Sequence, residues 1–364
     1  MTNTREFMTG WFSEGDSYSG PKIEKDFMLT WSERRKPGLM GKARGKHFVP
    51  KFRPFDMLSE PNQSVLLLTN EDQRIGAESV VGCRGVFTRN IDFDEVIFQF
   101  AGHSTIETEC GEFDLSPGDL ILIPEGIAQR STGTADCLRI FARLHEPVQR
   151  MWIPEQQSSR TEFDMVRSGG PSWTVPSGAA DAPKGDVIEY MITWRDQSPD
   201  DYTVVEREYD ALVGVTSTKP NVKESAVRKI RAFDFFTEVT GQHGPGPKLI
   251  ESPNCIIEVY NTEGEQFAFH RALRSEEVGL QFRGNPTNMS EFDGELSVAP
   301  GDMAVIPLGI AHSVKCDSDF LRIVWYSRIP WDVAVNPAAH RFESNFDVTS
   351  NVIEEAAWRS TAAE

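Results

Sequence analysis

Apolar and polar residues alternate along several short stretches of this chain. In the stretch EEVGLQF, from 276 to 282, the apolar residues stand at every second position from Val278 onward. A period of two predicts a β-strand with one face buried. A Gly-Asp turn follows at 301, and the apolar run MAVIP comes after it. Short strands separated by Gly, Pro, Asn and Asp, with little helical periodicity, predict an all-β protein made of small antiparallel barrels or jelly rolls.

The same pattern occurs twice along the chain. The stretch GDMAVIPLGIAH (301–312) repeats GDLILIPEGIAQ (118–129), and a histidine ends the second copy where a glutamine ends the first. EEVGLQFRG (276–284) matches DEVIFQFAG (94–102), and LRIVWYSRIP (321–330) matches LRIFARLHEP (138–147). The copies are offset by 182 residues at the strand that begins at 276 and by 183 at the turn that begins at 301. The sequence therefore predicts a duplicated domain with metal chemistry in the second copy only.

The repeats divide the chain into five parts. We predict an N-terminal arm at 1–55, a first barrel without metal at 56–150, a linker and loop segment at 151–215, a second barrel with the metal site at 216–335, and a tail at 336–364 that forms a short helix. The arm carries a basic cluster from Arg34 to Arg53. Such a cluster either clamps an acidic neighbouring subunit or lies on the protein's own acidic body, and the sequence favours neither.

Composition narrows the class of partner. The 364 residues carry a formal net charge of −18, which argues against nucleic acid or an anionic membrane surface as a partner. No apolar stretch approaches the roughly 18 residues that span a bilayer, and Met1 is not followed by a signal region. The five cysteines form no CxxC pair, so we expect reduced thiols. We expect a cytoplasmic protein.

The two copies together resemble the bicupin family. The second motif of that family is a Gly, five residues, a Pro, any residue, a Gly, two residues and a His, and it is matched here at Gly301, Pro307, Gly309 and His312. The first copy places Gln129 at the histidine position. The resemblance implies an all-β fold of two cupin-type barrels, a duplicated jelly roll with few helices.

The segment around the first of two candidate ligand histidines extends the resemblance. HRALRSEEVGL, which begins at His270, is similar to the HRNxMSExxGL signature of the homogentisate 1,2-dioxygenase superfamily, and this similarity implies His270, Glu276 and His312 as metal ligands. Strand parity also favours Glu276, because that residue shares parity with the apolar residues that we expect inside the barrel. The usual cupin spacing to the following glycine instead selects Glu277, so the choice stays open.

The corresponding positions of the first copy predict a barrel without metal, because Thr88, Asp94 and Gln129 include no imidazole. In the second copy, two imidazoles and one carboxylate with open positions suit non-haem Fe(II) and oxygen chemistry. The family resemblance implies a dioxygenase that opens the ring of a hydroxylated aromatic substrate, of hydroquinone, gentisate or homogentisate type, with O2. Two departures from the signature are Ala272 at the family's asparagine and the lack of a second histidine shortly before His312. Another cupin metalloenzyme (an isomerase, a lyase or a non-aromatic dioxygenase) and a noncatalytic ligand-binding bicupin are the alternatives.

Three further residues are candidates for the chemistry. His243, in the loop GQHGPGP, is a candidate proton acceptor, and its alternative is an exposed loop histidine. Arg322 and Tyr326, on the last barrel strand, are candidates for binding a substrate carboxylate or hydroxyl, and their alternative is plain strand surface. We expect a homo-oligomer. The similarity to the large subunit of hydroquinone 1,2-dioxygenases also implies a small partner subunit as an option.

Overall fold

The computed structural model describes part of the chain. The described residues are 3–9, 17–24, 48–109, 111–152, 162–164, 187–194, 203–207, 227–238, 244–265, 268–272, 275–291, 294–307, 312–334 and 341–343. The tail helix predicted beyond residue 343 lies outside them, as does His243. No helix in the described part of the chain is long and apolar enough to cross a membrane.

Strands make up most of the described residues. Those of the arm and of the first repeat are β1 (Asn3–Thr9), β2 (Ser17–Glu24), β3 (Phe48–Phe52), β4 (Ser64–Thr69), β5 (Gln73–Ser79), β6 (Gly82–Cys83), β7 (Val86–Asn90), β8 (Asp94–Ala101), β9 (Ser104–Thr108), β10 (Gly111–Leu115), β11 (Asp119–Ile123), β12 (Ala128–Gly133) and β13 (Leu138–Leu144). A 3-10 helix at Pro54–Met57 lies between β3 and β4.

The later strands follow in the same order along the chain. They are β14 (Arg150–Trp152), β15 (Glu162–Asp164), β16 (Val187–Ile192), β17 (Thr203–Arg207), β18 (Arg228–Arg231), β19 (Gly244–Glu251), β20 (Cys255–Glu265), β21 (Ala268–Ala272), β22 (Glu276–Arg283), β23 (Thr287–Glu291), β24 (Gly294–Val298), β25 (Met303–Ile306), β26 (His312–Ser327), β27 (Asp332–Val333) and β28 (Arg341–Glu343). One short helix, α1 (Asp234–Glu238), separates β18 from β19.

The first barrel consists of two sheets packed against each other. One has the order β10-β9-β12-β7-β16-β17 with β6 beside β12, and the other has the order β18-β11-β8-β13-β5-β4-β27. Apolar side chains meet between them in a cluster of Ile97, Ile106, Leu115, Ile121, Ile123, Ile127, Phe141 and Val227. Two layers of mostly antiparallel strands around one core form a jelly-roll barrel.

The second barrel forms around the long strand β26. The strand β20 pairs with both halves of β26, and β22 pairs with the C-terminal half. The N-terminal part of β26 pairs with β23 and meets β21 at His312. The barrel's apolar interior contains Met289, Leu296, Val298, Ala304, Ile306, Val314 and Phe320. The strand β26 thus contributes to both layers of the barrel. Its first residue, His312, therefore lies close to the strands that pair with its C-terminal half.

Equivalent hydrogen bonds in the two barrels confirm the duplication. Gln99 Oε1 accepts a hydrogen bond from a hydroxyl on the next strand at 2.8 Å, and Gln281 Oε1 does the same at 3.0 Å. The backbone amide of Gly118 donates to the Gln99 carbonyl at 2.8 Å, and the amide of Gly301 donates to the Gln281 carbonyl at the same distance. These two glycines have φ angles of 91° and 86°, a backbone conformation that favours glycine over other residues. The fold is all-β, with two cupin-type barrels, as the repeats predict.

The two barrels bury one sheet face of each against the other. A single apolar cluster contains residues of both repeats, among them Val96, Phe98, Leu122, Ile140, Val278, Leu280, Ile323 and Trp325. Consequently β8 and β22, which lie in the facing sheets, are buried on both faces, one against the other barrel and one inside their own barrel. The alternating residues divide each of these strands into two faces, but both faces are buried.

Strands from outside the repeats complete the sheets. In the arm, β1 pairs in parallel with β21, and β3 pairs with β25. In the segment 151–215, β16 pairs with β7 of the first barrel. The strands β18 and β27, both from the range predicted for the second barrel, pair with β11 and β4 of the first. Each barrel therefore uses edge strands from distant parts of the chain.

Candidate metal centre

The two histidines predicted as ligands belong to neighbouring strands. His312, the first residue of β26, is directly opposite His270 of β21 in the antiparallel register. The side chain of His312 is 1% exposed. His270 is described by its backbone only, so its position rests on this register. The structure thus brings the two backbones together at one end of the second barrel.

A buried carboxylate faces His312. Nε2 of His312 lies 3.3 Å from Oε2 of Glu277, and both side chains are almost fully buried. The other carboxylate oxygen of Glu277 accepts a hydrogen bond from Nη2 of Arg322 at 2.9 Å. The guanidinium orients the carboxylate so that one oxygen remains directed at the imidazole.

Glu276, the residue that strand parity favours, has a different environment. Its Oε2 accepts a hydrogen bond from the backbone amide of Trp331 at 2.8 Å, beyond the end of β26. Asp94 has the same role in the first barrel, where its Oδ2 accepts from the amide of Val148 at 2.8 Å. Glu276 is therefore the second copy of a carboxylate that fixes the chain after the last barrel strand.

The parity argument assigned the wrong face of β22 to the barrel interior. Val278 and Leu280 were expected inside the barrel, yet they belong to the cluster that packs against the first barrel. The opposite face, with Glu277 and Gln281, is directed into the second barrel, where both side chains are buried. The interior of this barrel is polar near His312, and the apolar face is needed at the junction between barrels. Glu277 is consequently the carboxylate next to His312.

The guanidinium of Arg322 packs against the backbone of β22, which explains the glycine at position 279. A Cβ atom at Gly279 would lie 1.9 Å from Nη2 of Arg322, far inside van der Waals contact. Arg322 itself is 6% exposed. A side chain at this position would overlap the guanidinium of Arg322 and displace it from its place beside Glu277.

The donor set is compatible with a metal ion. Two ligand atoms about 2.1 Å from one ion lie about 3.0 to 3.4 Å apart for right-angled to tetrahedral arrangements, and the 3.3 Å between His312 Nε2 and Glu277 Oε2 falls in that range. Among the described side chains no three His, Cys, Asp or Glu groups converge to hold an ion. His312 and Glu277 would supply two ligands. The third candidate, His270, is placed by its backbone alone.

A chain of hydrogen bonds lies near this pair. Tyr260 donates to Oε2 of Glu258 at 2.9 Å, and its hydroxyl lies 2.6 Å from that of Tyr326. Either hydroxyl can be the donor in the bond between the two tyrosines. Burial raises the pKa of Glu258 to about 7, although the hydrogen bond from Tyr260 opposes this shift. Burial also raises the pKa of both tyrosines well above its ordinary value.

Of the three further candidates, two lie in this site. Arg322 and Tyr326 are buried, at 6% and 2% exposure, so neither belongs to an exposed strand surface. Arg322 binds Glu277, and Tyr326 bonds to Tyr260. The third, His243, lies outside the described residues.

Glu258 and Tyr260 were not among the site residues predicted from the sequence. Both lie on β20 and alternate there with the buried Ile257 and Val259. The available signal was an acidic residue and a tyrosine at alternate positions in the apolar first half of this strand.

The first barrel contains a corresponding pair without an imidazole. Gln129 donates from Nε2 to Oε2 of Glu95, and the register pairs Gln129 with Thr88 as it pairs His312 with His270. Arg143 donates to the other oxygen of Glu95 at 3.1 Å. Both barrels thus place an arginine on the glutamate and differ at the imidazole, which an amide replaces in the first. The arginines are not equivalent, because Arg143 stands at the position of Tyr326.

Comparison with known proteins gives likenesses of fold only. No protein-family model and no curated protein sequence matches the chain. Among solved structures, a salicylate 1,2-dioxygenase from Pseudaminobacter salicylatoxidans is 13% identical with a TM-score of 0.46, over 86% of this chain and 99% of that one. A variant of the Bacillus subtilis oxalate decarboxylase is 12% identical with a TM-score of 0.44, over 91% of this chain and 89% of the other. A cupin 2 conserved barrel domain protein from Leptotrichia buccalis is 11% identical with a TM-score of 0.43, over 79% and 97% respectively.

Proposed function

We propose that the second barrel is the active site of an Fe(II) dioxygenase that opens the ring of a hydroxylated aromatic substrate, with His270, Glu277 and His312 as the metal ligands. The observation that carries the proposal is the buried contact between His312 and Glu277, 3.3 Å apart, at the end of a barrel strand. Its counterpart in the first barrel has Gln129, which cannot supply an imidazole. The protein thus has one barrel suited to metal and one that is not.

The proposed ligand set leaves coordination positions for reactants. Two neutral imidazoles and one carboxylate form the facial triad of non-haem Fe(II) oxygenases. When bound, Fe(II) supplies adjacent open positions at which a phenolic substrate and dioxygen are held together.

The protein's own groups account for the charge and orientation of the proposed site. Arg322 binds one oxygen of Glu277 at 2.9 Å and thereby limits how far the carboxylate can rotate. Because Arg322 passes over Gly279, the position of the guanidinium is set by the backbone of β22. In this proposal Arg322 is a positioning residue, since its described contact is with Glu277 and it acts through that carboxylate.

The hydrogen-bonded chain offers a place for the proton of a phenolic substrate. With a pKa of about 7, Glu258 is present in both protonation states near neutral pH, so it can accept a proton and release it again. Tyr260 and Tyr326 connect this carboxylate to the barrel interior through bonds of 2.9 and 2.6 Å. We assign the proton-accepting role to Glu258 through these two hydroxyls.

The test combines iron content with oxygen uptake. Protein reconstituted with Fe(II) is analysed for bound iron and for oxygen consumption with hydroquinone, gentisate, homogentisate and catechol. His312→Gln is the sharpest variant, because it copies the residue that the first barrel uses against its own glutamate. We expect this variant to fold normally and to lose iron, whereas Gln129→Ala keeps it.

A second pair of variants decides between the two glutamates. Glu277→Gln should lose iron and oxygen uptake, and Glu276→Gln should keep both, since Glu276 binds the amide of Trp331. Iron lost in Glu276→Gln but kept in Glu277→Gln would refute the ligand assignment. Stoichiometric iron without oxygen uptake on any phenol would refute the ring-opening activity and favour another metalloenzyme.

A further inference from the structure

The first barrel contains a cavity of about 600 Å³. Small-molecule sites in proteins have volumes of about 300 to 1,000 Å³. Its lining includes Thr88, Glu95 and Gln129, the counterparts of the proposed metal centre in the second barrel. The cavity therefore occupies the place that corresponds to an active site, in a barrel with a different set of side chains.

The lining of this cavity has no ligand set for a transition metal. It contains no histidine and no cysteine, but four arginines and three glutamates. Amide and hydroxyl groups accompany these charges, such as those of Asn90, Gln129 and Ser131. Such a lining suits a polar organic molecule that makes many hydrogen bonds.

A buried carboxylate in the lining is shared between two arginines. Oε1 of Glu78 lies 2.6 Å from Nη2 of Arg139, and Oε2 lies 2.9 Å from Nη2 of Arg84. Burial alone raises the pKa of Glu78, but the charges of Arg139 and Arg84 lower it to about 2. Arg84 and Arg139 together thus carry one more positive charge than Glu78 neutralises.

The other charged residues of the lining do not neutralise this additional positive charge. Arg143 is neutralised by Glu95, with Nε and Oε1 3.1 Å apart. Arg130 is neutralised by Glu107, whose Oε2 accepts from Nε at 3.0 Å. The third glutamate of the lining, Glu60, is exposed at the entrance. One of the two arginines that share Glu78 therefore lacks a carboxylate of its own among the lining residues, and an anion that enters the cavity would pair with it.

Hydrogen bonds fix the orientation of the innermost arginine. The Arg139 side chain is 2% exposed, its Nη1 donates to Oγ of Ser131 at 3.1 Å, and its Nη2 donates to Oε1 of Glu78 at 2.6 Å. A guanidinium has its donors in a fixed plane, and a carboxylate is the group that matches them best.

Hydrogen bonds fix a loop that lines the cavity. Residues 60–64 line the opening, and Asn62 holds this loop to Val81 with two hydrogen bonds, of 2.8 and 3.0 Å. Asn62 has a φ of 60°, a conformation that is uncommon for residues other than glycine. Asparagine is among the few residues that tolerate this conformation, so Asn62 suits the turn of the loop.

We propose that the first barrel binds a small hydroxylated organic carboxylate. In this complex the carboxylate group pairs with Arg84 and Arg139, and the hydroxyls bond to amide and hydroxyl side chains such as Gln129 and Thr88. This site is separate from the metal centre of the second barrel and does not depend on it.

Calorimetric titration of the full chain tests the proposal. The probes are lactate, gluconate and 4-hydroxybenzoate, each compared with an uncharged counterpart, namely propane-1,2-diol, sorbitol and phenol. Every titration is repeated with His312→Gln, which removes a proposed metal ligand and so removes binding that depends on the metal centre of the second barrel. We expect at least one carboxylate to bind equally well to both proteins, and its counterpart to bind at least tenfold more weakly.

Two variants locate the site. Arg84→Gln, at a side chain 29% exposed, should weaken carboxylate binding about tenfold or more without loss of folding. Arg231→Gln is the control, because Arg231 also pairs with carboxylates but lies outside the cavity. Arg139→Gln should abolish binding, provided that circular dichroism shows the fold retained.

The other outcomes overturn the proposal. If no carboxylate binds, or if the uncharged counterparts bind as tightly, the cavity does not recognise organic anions. If Arg84→Gln binds like the unaltered protein, the carboxylate is bound elsewhere. Binding that disappears in His312→Gln would assign the ligand to the second barrel, which would contradict this inference while supporting a site at His312.

Discussion

The carboxyl group of Glu258 should make the stability of this protein depend on pH. Burial raises its pKa from 4.5 to about 7 in the folded state. The side chain is 4% exposed and faces Tyr260, with Lys248 and Glu251 on β19 and Glu277 on β22 as the other charged groups that affect it. The folded protein thus holds a proton on Glu258 at pH values where the unfolded chain has released it.

The sign and size of the effect follow from this shift. The contribution is fully present below about pH 4.5 and is lost as the pH rises through about 7, because the folded state binds more protons in this window. A difference of about 2.5 units corresponds to about 3 kcal/mol. We expect Glu258→Gln, which cannot ionise, to lack this contribution to the pH dependence.

The assay is urea denaturation of metal-free protein at pH 5 and pH 8. Other groups titrate between these values, so the informative quantity is the difference between the pH effects in the unaltered protein and in Glu258→Gln. The unaltered protein should lose about 2.5 kcal/mol more than the variant, because pH 5 to pH 8 covers most but not all of the window between the two pKa values. An equal loss in both proteins would refute the raised pKa of Glu258.

A second variant should raise the pKa of Glu258 further. The hydrogen bond from Tyr260 lowers the pKa of Glu258. Tyr260→Phe should therefore raise that pKa further and move the loss of stability to higher pH. A shift toward lower pH would show that Tyr260 does not stabilise the ionised carboxylate.

Three further predictions test the packing around the site. Gly279→Ala should lower the free energy of unfolding by about 3 kcal/mol and reduce iron binding, because a Cβ 1.9 Å from Nη2 displaces the buried guanidinium of Arg322. Glu276→Ala should cost about 1.5 to 3 kcal/mol through the lost bond to the amide of Trp331, with iron binding retained in the folded fraction. Trp325→Ala, at a side chain 1% exposed between the barrels, should cost about 3 to 5 kcal/mol.

A specific result would contradict each of these three predictions. Urea midpoints and bound iron that stay unchanged in Gly279→Ala would mean that Arg322 does not need its present position. Iron lost from folded Glu276→Ala would return Glu276 to the ligand set. A cost below about 1 kcal/mol for Trp325→Ala would contradict a continuous core between the barrels.

The pattern of the sequence predicts much of the fold, for reasons that concern local structure. Period-two alternation at 276–282 predicted a strand, and the structure has β22 at Glu276–Arg283. The repeated Gly-Asp turns predicted two copies of one unit, and both turns have glycines with positive φ. Short-range patterns of this kind depend on neighbouring residues alone, so they can be read without knowledge of distant contacts.

The candidate site was predicted in part. His312 was identified from a motif, and the register places its backbone opposite His270. Glu258 and Tyr260 were not identified, because they come from β20 and approach Glu277 only when β20 and β22 flank β26. Pairing across distant strands is decided by the assembled sheet, and no local spacing records it.

The choice between the two glutamates separates sequence from tertiary structure most clearly. The alternation in β22 determined by itself that Glu276 and Glu277 point in opposite directions. It did not determine which direction leads to His312, because the strand is buried on both faces. The packing of Val278 and Leu280 against the first barrel decided that the polar face, with Glu277, is directed into the second barrel. A sequence specifies which residues share a face, whereas only the arrangement of sheets around that strand decides what each face meets.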